Sequence, residues 1–239
     1  MQTKDFISVI KKYYLDGRCV SAKWVVKEKN LTMELSTESK DLLIHLDSNI
    51  DLEDGEFGIY DTDKLLQFLG ALDSEISIQY EYQKNKPIGL KLSDKVINAV
   101  FMLADISIFE PVNSLKSVPT FDVVINLNKE LIDRFIKSKK ALPDAKVVAI
   151  ITQMNDDVDF IINFQEHNTN RITIPTKATI ENPIELIAFD ADVITAIFSA
   201  NNGDYREGKM SINGRGLAMI EFTGEDTSVK YYLKKFELV

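Results

Sequence analysis

The sequence predicts an α+β protein of two similar domains, each with two helices packed on antiparallel sheets. Three observations support this prediction. Helix starts recur about every 60 residues, strand-like segments follow them in the same order, and the two halves of the chain resemble each other. The predicted helices start at Thr3, Asp61, Asn128 and Asp190.

The four predicted helix starts share one local pattern. Each begins with a side chain whose oxygen can accept a hydrogen bond from a free backbone N–H group. Each carries a carboxylate two positions later, where the helix dipole favours negative charge. Apolar residues then follow four and seven positions after the start, which places both on one helical face. These apolar pairs are Ile7 and Ile10, Leu65 and Phe68, Ile132 and Phe135, and Ile194 and Ile197.

Strands are predicted where apolar and polar residues alternate or where short apolar runs lie between turn residues. The predicted strands are 20–27, 30–35, 41–46, 57–60, 76–82, 88–92, 97–103, 121–127, 147–152, 159–164, 171–175, 184–189, 209–213, 217–222 and 228–236. The segment 59–63 matches 188–192 in register, and the strands after both segments match as well. We therefore interpret the second half as a copy of the first.

A change of character near residue 108 predicts a domain boundary. Pro111 and Pro119 interrupt this stretch, which has no helical period and suits an extended connection. We predict a first domain at 1–107, a linker at 108–120 and a second domain at 121–239.

Composition excludes several classes of protein. The net charge of −9 argues against a generic nucleic-acid-binding protein. No apolar run has the length of a membrane span, and the first residues lack the apolar segment of a signal peptide. The single cysteine, Cys19, suits a reducing compartment. We expect a cytoplasmic protein that does not bind membranes.

No residue pattern predicts catalysis, a metal site or a cofactor. Gly203–Lys209 has the spacing of a phosphate loop, but Met210 follows where Ser or Thr is needed, and a solvated loop is the better interpretation. His45 and His167 have no Cys or His at ligand spacing. An enzyme that uses unconnected Asp or Glu residues stays open as an alternative.

Positive charge is concentrated on two helices of this acidic chain. The first carries Lys4, Lys11 and Lys12, and the third carries Lys129, Arg134, Lys137, Lys139 and Lys140. A solvated polar face is the ordinary explanation of surface lysines. Their placement on corresponding helices of both halves favours a surface that contacts phosphates without reading bases.

Several short motifs resemble the DNA sliding clamps, most closely the bacteriophage T4 type. The start of the chain, with Lys4-Asp5 and Val9-Ile10-Lys11, is similar to that of the phage clamp. The segments 57–61 and 68–70 resemble the end of its first repeat. Arg134–Lys137 and Val229–Leu233 resemble the basic helix and the tail of the eukaryotic clamp, proliferating cell nuclear antigen.

The resemblance implies that three chains form a closed ring around double-stranded DNA. The helices would line the hole and contact DNA without sequence specificity. The ring would tether the replicative DNA polymerase, and it would need no cofactor. The implied DNA-facing residues are Lys4, Lys11, Lys12, Lys64, Arg134, Lys137 and Lys140. If the protein is viral, it would act in the host cell cytoplasm. The departure from the family is that the second and fourth helices contain few basic residues.

The family also captures short peptides of polymerase and clamp loader near the linker and the tail. The implied pocket residues are Leu115, Val118, Pro119, Tyr232 and Phe236, which could instead simply pack the linker and tail onto the domains. The strands 98–104 and 171–175 are the candidate contacts between protomers, by pairing of sheet edges. A monomeric two-domain peptide-binding module is the remaining alternative.

Overall fold

The computed structural model describes residues 1–84, 86–112, 115, 117–165 and 169–237. The chain forms two compact units, and in both of them helices pack with antiparallel strands. The first unit comprises Met1–Glu38, Ile44–Ser114 and Asp226–Val229, and the second comprises Ser39–Leu43, Leu115–Glu225 and Lys230–Val239. The predicted α+β architecture with antiparallel sheets is therefore confirmed.

The first unit follows the order helix, four strands, helix, three strands within the described residues. Its elements are α1 (Thr3–Tyr14), β1 (Ala22–Lys27), β2 (Asn30–Ser36), β3 (Leu42–Asn49), β4 (Gly55–Ile59), α2 (Thr62–Gly70), β5 (Ser77–Gln83), β6 (Lys86–Ser93) and β7 (Asn98–Met102). The strands lie side by side in the orders β3-β2-β1-β4 and β5-β6-β7.

The second unit repeats this order after one additional strand. Its elements are β8 (Val123–Asn126), α3 (Lys129–Ala141), β9 (Val147–Thr152), β10 (Asp157–Ile162), β11 (Ile172–Ile180), β12 (Ile187–Asp190), α4 (Ala191–Asn201), β13 (Glu207–Asn213), β14 (Leu217–Thr223) and β15 (Thr227–Lys234). The strand order is β12-β9-β10-β11-β8-β13-β14-β15. By the bounds of the units, the first two residues of β3 belong to this unit and the first three residues of β15 belong to the first unit.

The two units share a strand order as well as an element order. The arrangement β4-β1-β2-β3 corresponds to β12-β9-β10-β11, so β3 corresponds to β11 and β7 to β15. One hydrogen bond recurs at the matching place. Ala104 N donates to Gly58 O at 2.8 Å, and Phe236 N donates to Ala188 O at 2.7 Å. The repetition predicted from the helix starts is thus present in the backbone.

The core of each unit lies between the helices and the sheets. In the first unit, the rings of Phe6 and Trp24 meet edge to face at 5.7 Å. In the second, Phe135 contacts Phe198 at 5.1 Å in the same geometry. Full burial of an apolar side chain contributes about 1.5–3 kcal/mol. The predicted apolar stripes are buried at Ile10, Leu65, Ile132, Phe135, Ile194 and Ile197, whereas Ile7 and Phe68 are only half-buried.

Three of the four predicted helix caps are confirmed. Asp61, Asn128 and Asp190 accept backbone hydrogen bonds from Lys64 N at 2.9 Å, Leu131 N at 2.8 Å and Val193 N at 2.9 Å. The predicted cap at Thr3 is wrong, because the helix already includes Thr3, and the residue at the cap position, Gln2, makes no capping hydrogen bond with its side chain. The hydroxyl of Thr3 donates to Asp73 O instead, so a tertiary partner replaces the local one.

Several strands of the second unit differ from their predicted bounds, and β10 and β11 are two examples. β10 begins at Asp157 rather than 159, and β11 extends to Ile180 rather than ending at 175. Pro175 lies inside β11, where the sequence suggested an end. Within the described residues, no helix is long and apolar enough to span a membrane.

Candidate functional site

Most of the cations predicted to face DNA are exposed on helices. Lys4 and Lys11 lie on the exposed face of α1, and Lys64 lies on α2. Arg134, Lys137 and Lys140 lie on the exposed face of α3. These side chains are therefore available to a charged partner.

Lys12 is the exception, because its side chain belongs to the interior of the first unit. It is only 2% exposed, and its Nζ lies 3.4 Å from Ser8 Oγ. Lys12 follows the buried Val9 by three positions, so both lie on the same face of α1. The expectation that Lys12 contacts DNA is corrected, since its burial removes it from the exposed surface.

Ion pairs along α3 reduce its free positive charge. Lys129 pairs with Asp133 at 3.0 Å, and Arg134 pairs with Glu130 at 2.5 Å. Both pairs span one helical turn, where such contacts are weak and screened by salt. Among the described residues, no carboxylate pairs with Lys137 or Lys140. These two lysines are the unpaired cations of the helix.

Lys139 has a structural role rather than a surface one. Its buried ammonium group donates to Pro143 O at 2.7 Å and pairs with Asp192 at 2.9 Å. Lys146 contacts the other oxygen of Asp192 at 2.9 Å. Burial alone would raise the pKa of Asp192, but the hydrogen bonds from Lys139 and Lys146 hold it below its usual value. This cluster joins α3 to the start of α4.

A concave site, here named the linker groove, lies in the first unit beside the start of the predicted linker. Its volume is about 560 Å³. The lining residues are Lys23, Val25, Thr32, Met33, Glu34, His45, Leu46, Asp47, Phe109, Glu110, Pro111 and Val112. Val25 and Thr32 are cross-strand neighbours on β1 and β2, so the sheet forms the floor and the chain 109–112 forms a wall.

The linker groove combines apolar and acidic side chains. Phe109, Pro111 and Val112 supply apolar surface along the wall. His45, interpreted from sequence as a strand residue, lies on β3 with its Nδ1 3.3 Å from Glu34 Oε1. The other histidine, His167, is outside the described residues. Pockets of this size with a few polar groups are typical ligand sites.

A second concavity, the tail pocket, lies in the second unit. Its volume is about 470 Å³, and residues 185–188, 214–216 and 235–237 line it. The tail is held there by two backbone bonds, from Lys235 N to Gly216 O at 2.7 Å and from Phe236 N to Ala188 O at 2.7 Å.

The two concavities contain only one of the five residues that the resemblance assigned to a peptide pocket. Phe236 lines the tail pocket and is 38% exposed. Tyr232 is buried, Leu115 and Val118 are exposed, and Pro119 is half-buried, but none of these four lines either concavity. Sequence reasoning missed the wall at 109–112, although Phe109 and Pro111 were visible as apolar residues of the linker.

Each unit has a strand with one open edge within the described residues. β7 pairs only with β6, and Leu103 N donates to Ile88 O at 2.9 Å. Backbone groups alternate between the two sides of an antiparallel strand. The N–H groups of Val100 and Met102 therefore point away from β6, on the same side as that of Ala104. This edge is free to accept another strand.

The corresponding edge of the second unit belongs to β11. On one side β11 pairs with β10, and on the other only Ala178–Ile180 pairs with β8. In the described chain the segment 172–177 thus has no strand on that second side. Ala178 N donates to Asp156 O at 3.0 Å, so the N–H of Thr173 faces the open side. Pro175 faces it too and has no N–H, as is common on edge strands.

No protein-family model and no curated protein matches the chain. Solved structures do match. Proliferating cellular nuclear antigen from Entamoeba histolytica is similar with a TM-score of 0.77 and 16% identity, over 99% of this chain and 96% of that chain. The A. fulgidus antigen, solved with the C-terminal region of FEN-1 bound, is similar with a TM-score of 0.78 and 13% identity, over 100% of this chain and 98% of that one. At such low identity the likeness shows the fold, which is that of the sliding clamps.

Proposed function

We propose that this chain is a sliding clamp that encircles duplex DNA as a homotrimeric ring and tethers a replicative DNA polymerase for processive synthesis. The observation that carries the proposal is the likeness to two clamp structures over nearly the whole length of each chain. We further assign the ring to the bacteriophage T4 type, acting in the host cytoplasm, on the resemblance of the first and second helices. The chain acts as a scaffold without catalysis.

The internal repeat supports a ring. Inside the first unit, the end of β3 lies beside the start of β15, with Ser48 Oγ 2.9 Å from Thr227 Oγ1. Inside the second unit, Lys234 N donates to Asp41 O at 2.9 Å. Because β7 corresponds to β15 and β11 to β3, the open edges of β7 and β11 are the matching pair of strands. In our proposal they pair between neighbouring copies.

The exposed cations support contact with DNA. Lys4, Lys11, Lys64, Lys137 and Lys140 would face the phosphates of the duplex, with Arg134 joining them when it leaves Glu130. Such contacts depend strongly on salt and do not read sequence, so a ring can slide along the duplex. The whole chain has a net charge of −9 in spite of these cations, so the remaining surface is acidic and favours keeping DNA away from it.

The two concavities support the capture of partner peptides. We propose that polymerase and clamp loader attach short segments to the linker groove and to the tail pocket at Phe236, with Leu115, Val118, Pro119 and Tyr232 supporting the chain around them. The A. fulgidus structure holds the C-terminal region of FEN-1 on a protein of this fold. An extended segment can dock in such grooves through a few apolar anchors.

The first test is the mass of the protein in solution, measured by light scattering during size exclusion over a range of concentrations. We expect about three times the chain mass of 27.1 kDa. A mass of one chain at high concentration would exclude the ring and favour the second candidate, a monomeric peptide-binding module, for which the linker groove is the supporting observation.

The second test concerns encirclement of DNA. The protein is loaded onto nicked circular DNA, and the DNA is then linearised. A ring held only by topology slides off the free ends, whereas an ordinary DNA-binding protein is retained by its contacts. Retention on linear DNA at physiological salt would contradict the proposal.

A further inference from the structure

The linker groove carries more negative than positive charge. Three carboxylates line it, at Glu34, Asp47 and Glu110, together with Lys23 and His45. The ammonium group of Lys23 is already paired with Glu56 at 2.7 Å, outside the groove lining. It therefore does not offset the other carboxylates.

Asp47 and Glu110 are the groove carboxylates left for a partner. Glu34 lies 3.3 Å from His45 Nδ1. Asp47 and Glu110 are both exposed, and across the described parts of the chain no cation lies within 4.0 Å of either one. They come from β3 and from the chain after β7, so they sit on the floor side and the wall side of the groove.

The apolar surface that lines the same groove suits the stem of a long basic side chain. Val25 contributes from the floor, and Pro111 and Val112 contribute from the wall. Lysine and arginine lay their methylene groups along apolar surface while their charged ends reach polar groups. A small apolar residue next to the basic one would fill the remaining space. The volume of about 560 Å³ holds a few extended residues.

We propose that the linker groove takes an extended peptide in which basic residues flank an apolar one, and that Asp47 and Glu110 select the basic residues. This inference rests on the peptide-docking part of the proposed function and adds the chemistry of the partner. Complementary charge at an exposed rim acts mainly on specificity and on the rate of association. The preference therefore weakens as salt rises.

The test uses two fluorescein-labelled peptides of opposite charge, Lys-Leu-Lys-Val-Lys and Glu-Leu-Glu-Val-Glu, with fluorescence anisotropy as the readout. The wild-type protein should bind the basic peptide and discriminate against the acidic one. The variant Asp47→Asn with Glu110→Gln should bind the basic peptide about fivefold more weakly. The difference should shrink between about 50 and about 200 mM salt.

A matched variant controls for the acidity of the whole protein. Asp16→Asn with Glu75→Gln removes the same charge from exposed positions of the same unit that do not line the groove. It should bind the basic peptide within about twofold of wild type. Equal affinity for the two peptides, no binding of either, or an equal loss in the matched variant would overturn the inference.

The mass of each sample separates this inference from the ring proposal. Selective binding by a monomer would leave the inference standing while the ring fails. A trimer that binds the two peptides equally would overturn this inference and leave the ring proposal standing.

Discussion

The ring of Phe109 occupies the space that a Cβ atom at Gly58 would need. A Cβ built there would lie 2.6 Å from Phe109 Cε2 and 2.7 Å from Ala104 O. The backbone N–H of Ala104 also donates a hydrogen bond to Gly58 O at 2.8 Å. The absence of a side chain at this position therefore lets the start of the linker lie directly on β4, which sets the wall of the linker groove.

Replacing Gly58 by alanine should strain this contact. We expect Gly58→Ala to lower the free energy of unfolding by about 1–3 kcal/mol, because neither the backbone of Ala104 nor the ring of Phe109 can yield freely. Urea denaturation followed by the fluorescence of Trp24, the single tryptophan, reports on this unit. The control is Gly70→Ala, at the end of α2, where nothing lies within 4 Å and the change should be neutral or stabilising. Equal effects at both positions would refute the role of the contact.

Asp192 should make the stability of the second unit depend on pH. Its pKa in the folded protein is lowered by Lys139 and Lys146 against the effect of burial. The ionised carboxylate therefore stabilises the fold above its ordinary pKa of about 4, and this contribution disappears as pH falls through the lower folded value. We expect Asp192→Asn to cost about 1–3 kcal/mol at pH 7 and progressively less in acid.

Denaturation by urea at several pH values, followed by circular dichroism, tests this expectation. Lys146→Ala serves as the control, because the Lys146 side chain is 70% exposed and its pair with Asp192 should contribute less than about 1 kcal/mol. A cost of Asp192→Asn that stays constant down to acidic pH would contradict the assignment of the charge.

Unpaired cations should matter more for DNA than paired ones. The double variant Lys11→Ala with Lys137→Ala should reduce the slope of log affinity against log salt by about 2, because each phosphate contact contributes about 0.9. Glu130→Gln with Arg134→Gln removes an ion pair without changing the net charge, and it should reduce the slope by less than about 1, because Arg134 contacts phosphate only when it leaves Glu130. Binding to a short duplex, measured by anisotropy at several salt concentrations, distinguishes the two. If both variants had a similar slope of log affinity against log salt, the proposed difference between unpaired and paired cations would be excluded.

The open edge of β7 should control assembly. Val100→Pro removes an N–H group that points away from β6, so the β6–β7 ladder keeps its bonds while a partner strand loses one. We expect a monomer with the circular dichroism of the wild type. Val100→Ala keeps the N–H and should remain a trimer by light scattering. If the Val100→Pro variant were still a trimer, the edge of β7 would not be the contact between neighbouring chains.

The helices and most strands could be predicted because their signals are local. The caps Asp61, Asn128 and Asp190 act within three residues, and the alternation of apolar residues identifies strands without knowledge of their partners. The cap predicted at Thr3 is wrong because the hydroxyl of Thr3 donates a hydrogen bond to the backbone oxygen of Asp73, which is distant in the sequence. The same limit explains Lys12, whose burial depends on what packs against that face of α1.

The linker groove could not be predicted for the same reason. Asp47 and Glu110 line the same groove only because the chain after β7 returns to the sheet that contains β3. No spacing in the sequence connects these residues. The sequence did show Phe109 and Pro111 as apolar residues of the linker, but the contact with Gly58 that positions them is a property of the folded backbone.

The correspondence of β7 with β15 and of β11 with β3 has a consequence for how a closed ring opens. In the proposed ring, the joints between chains are the pairings of β7 with β11, and no covalent backbone bridges them. Circular DNA, which has no free ends, could enter or leave the proposed ring only where a joint between chains parts. Since β7 has only five residues, few backbone hydrogen bonds would hold each such joint, and their number would limit how long the proposed ring stays closed.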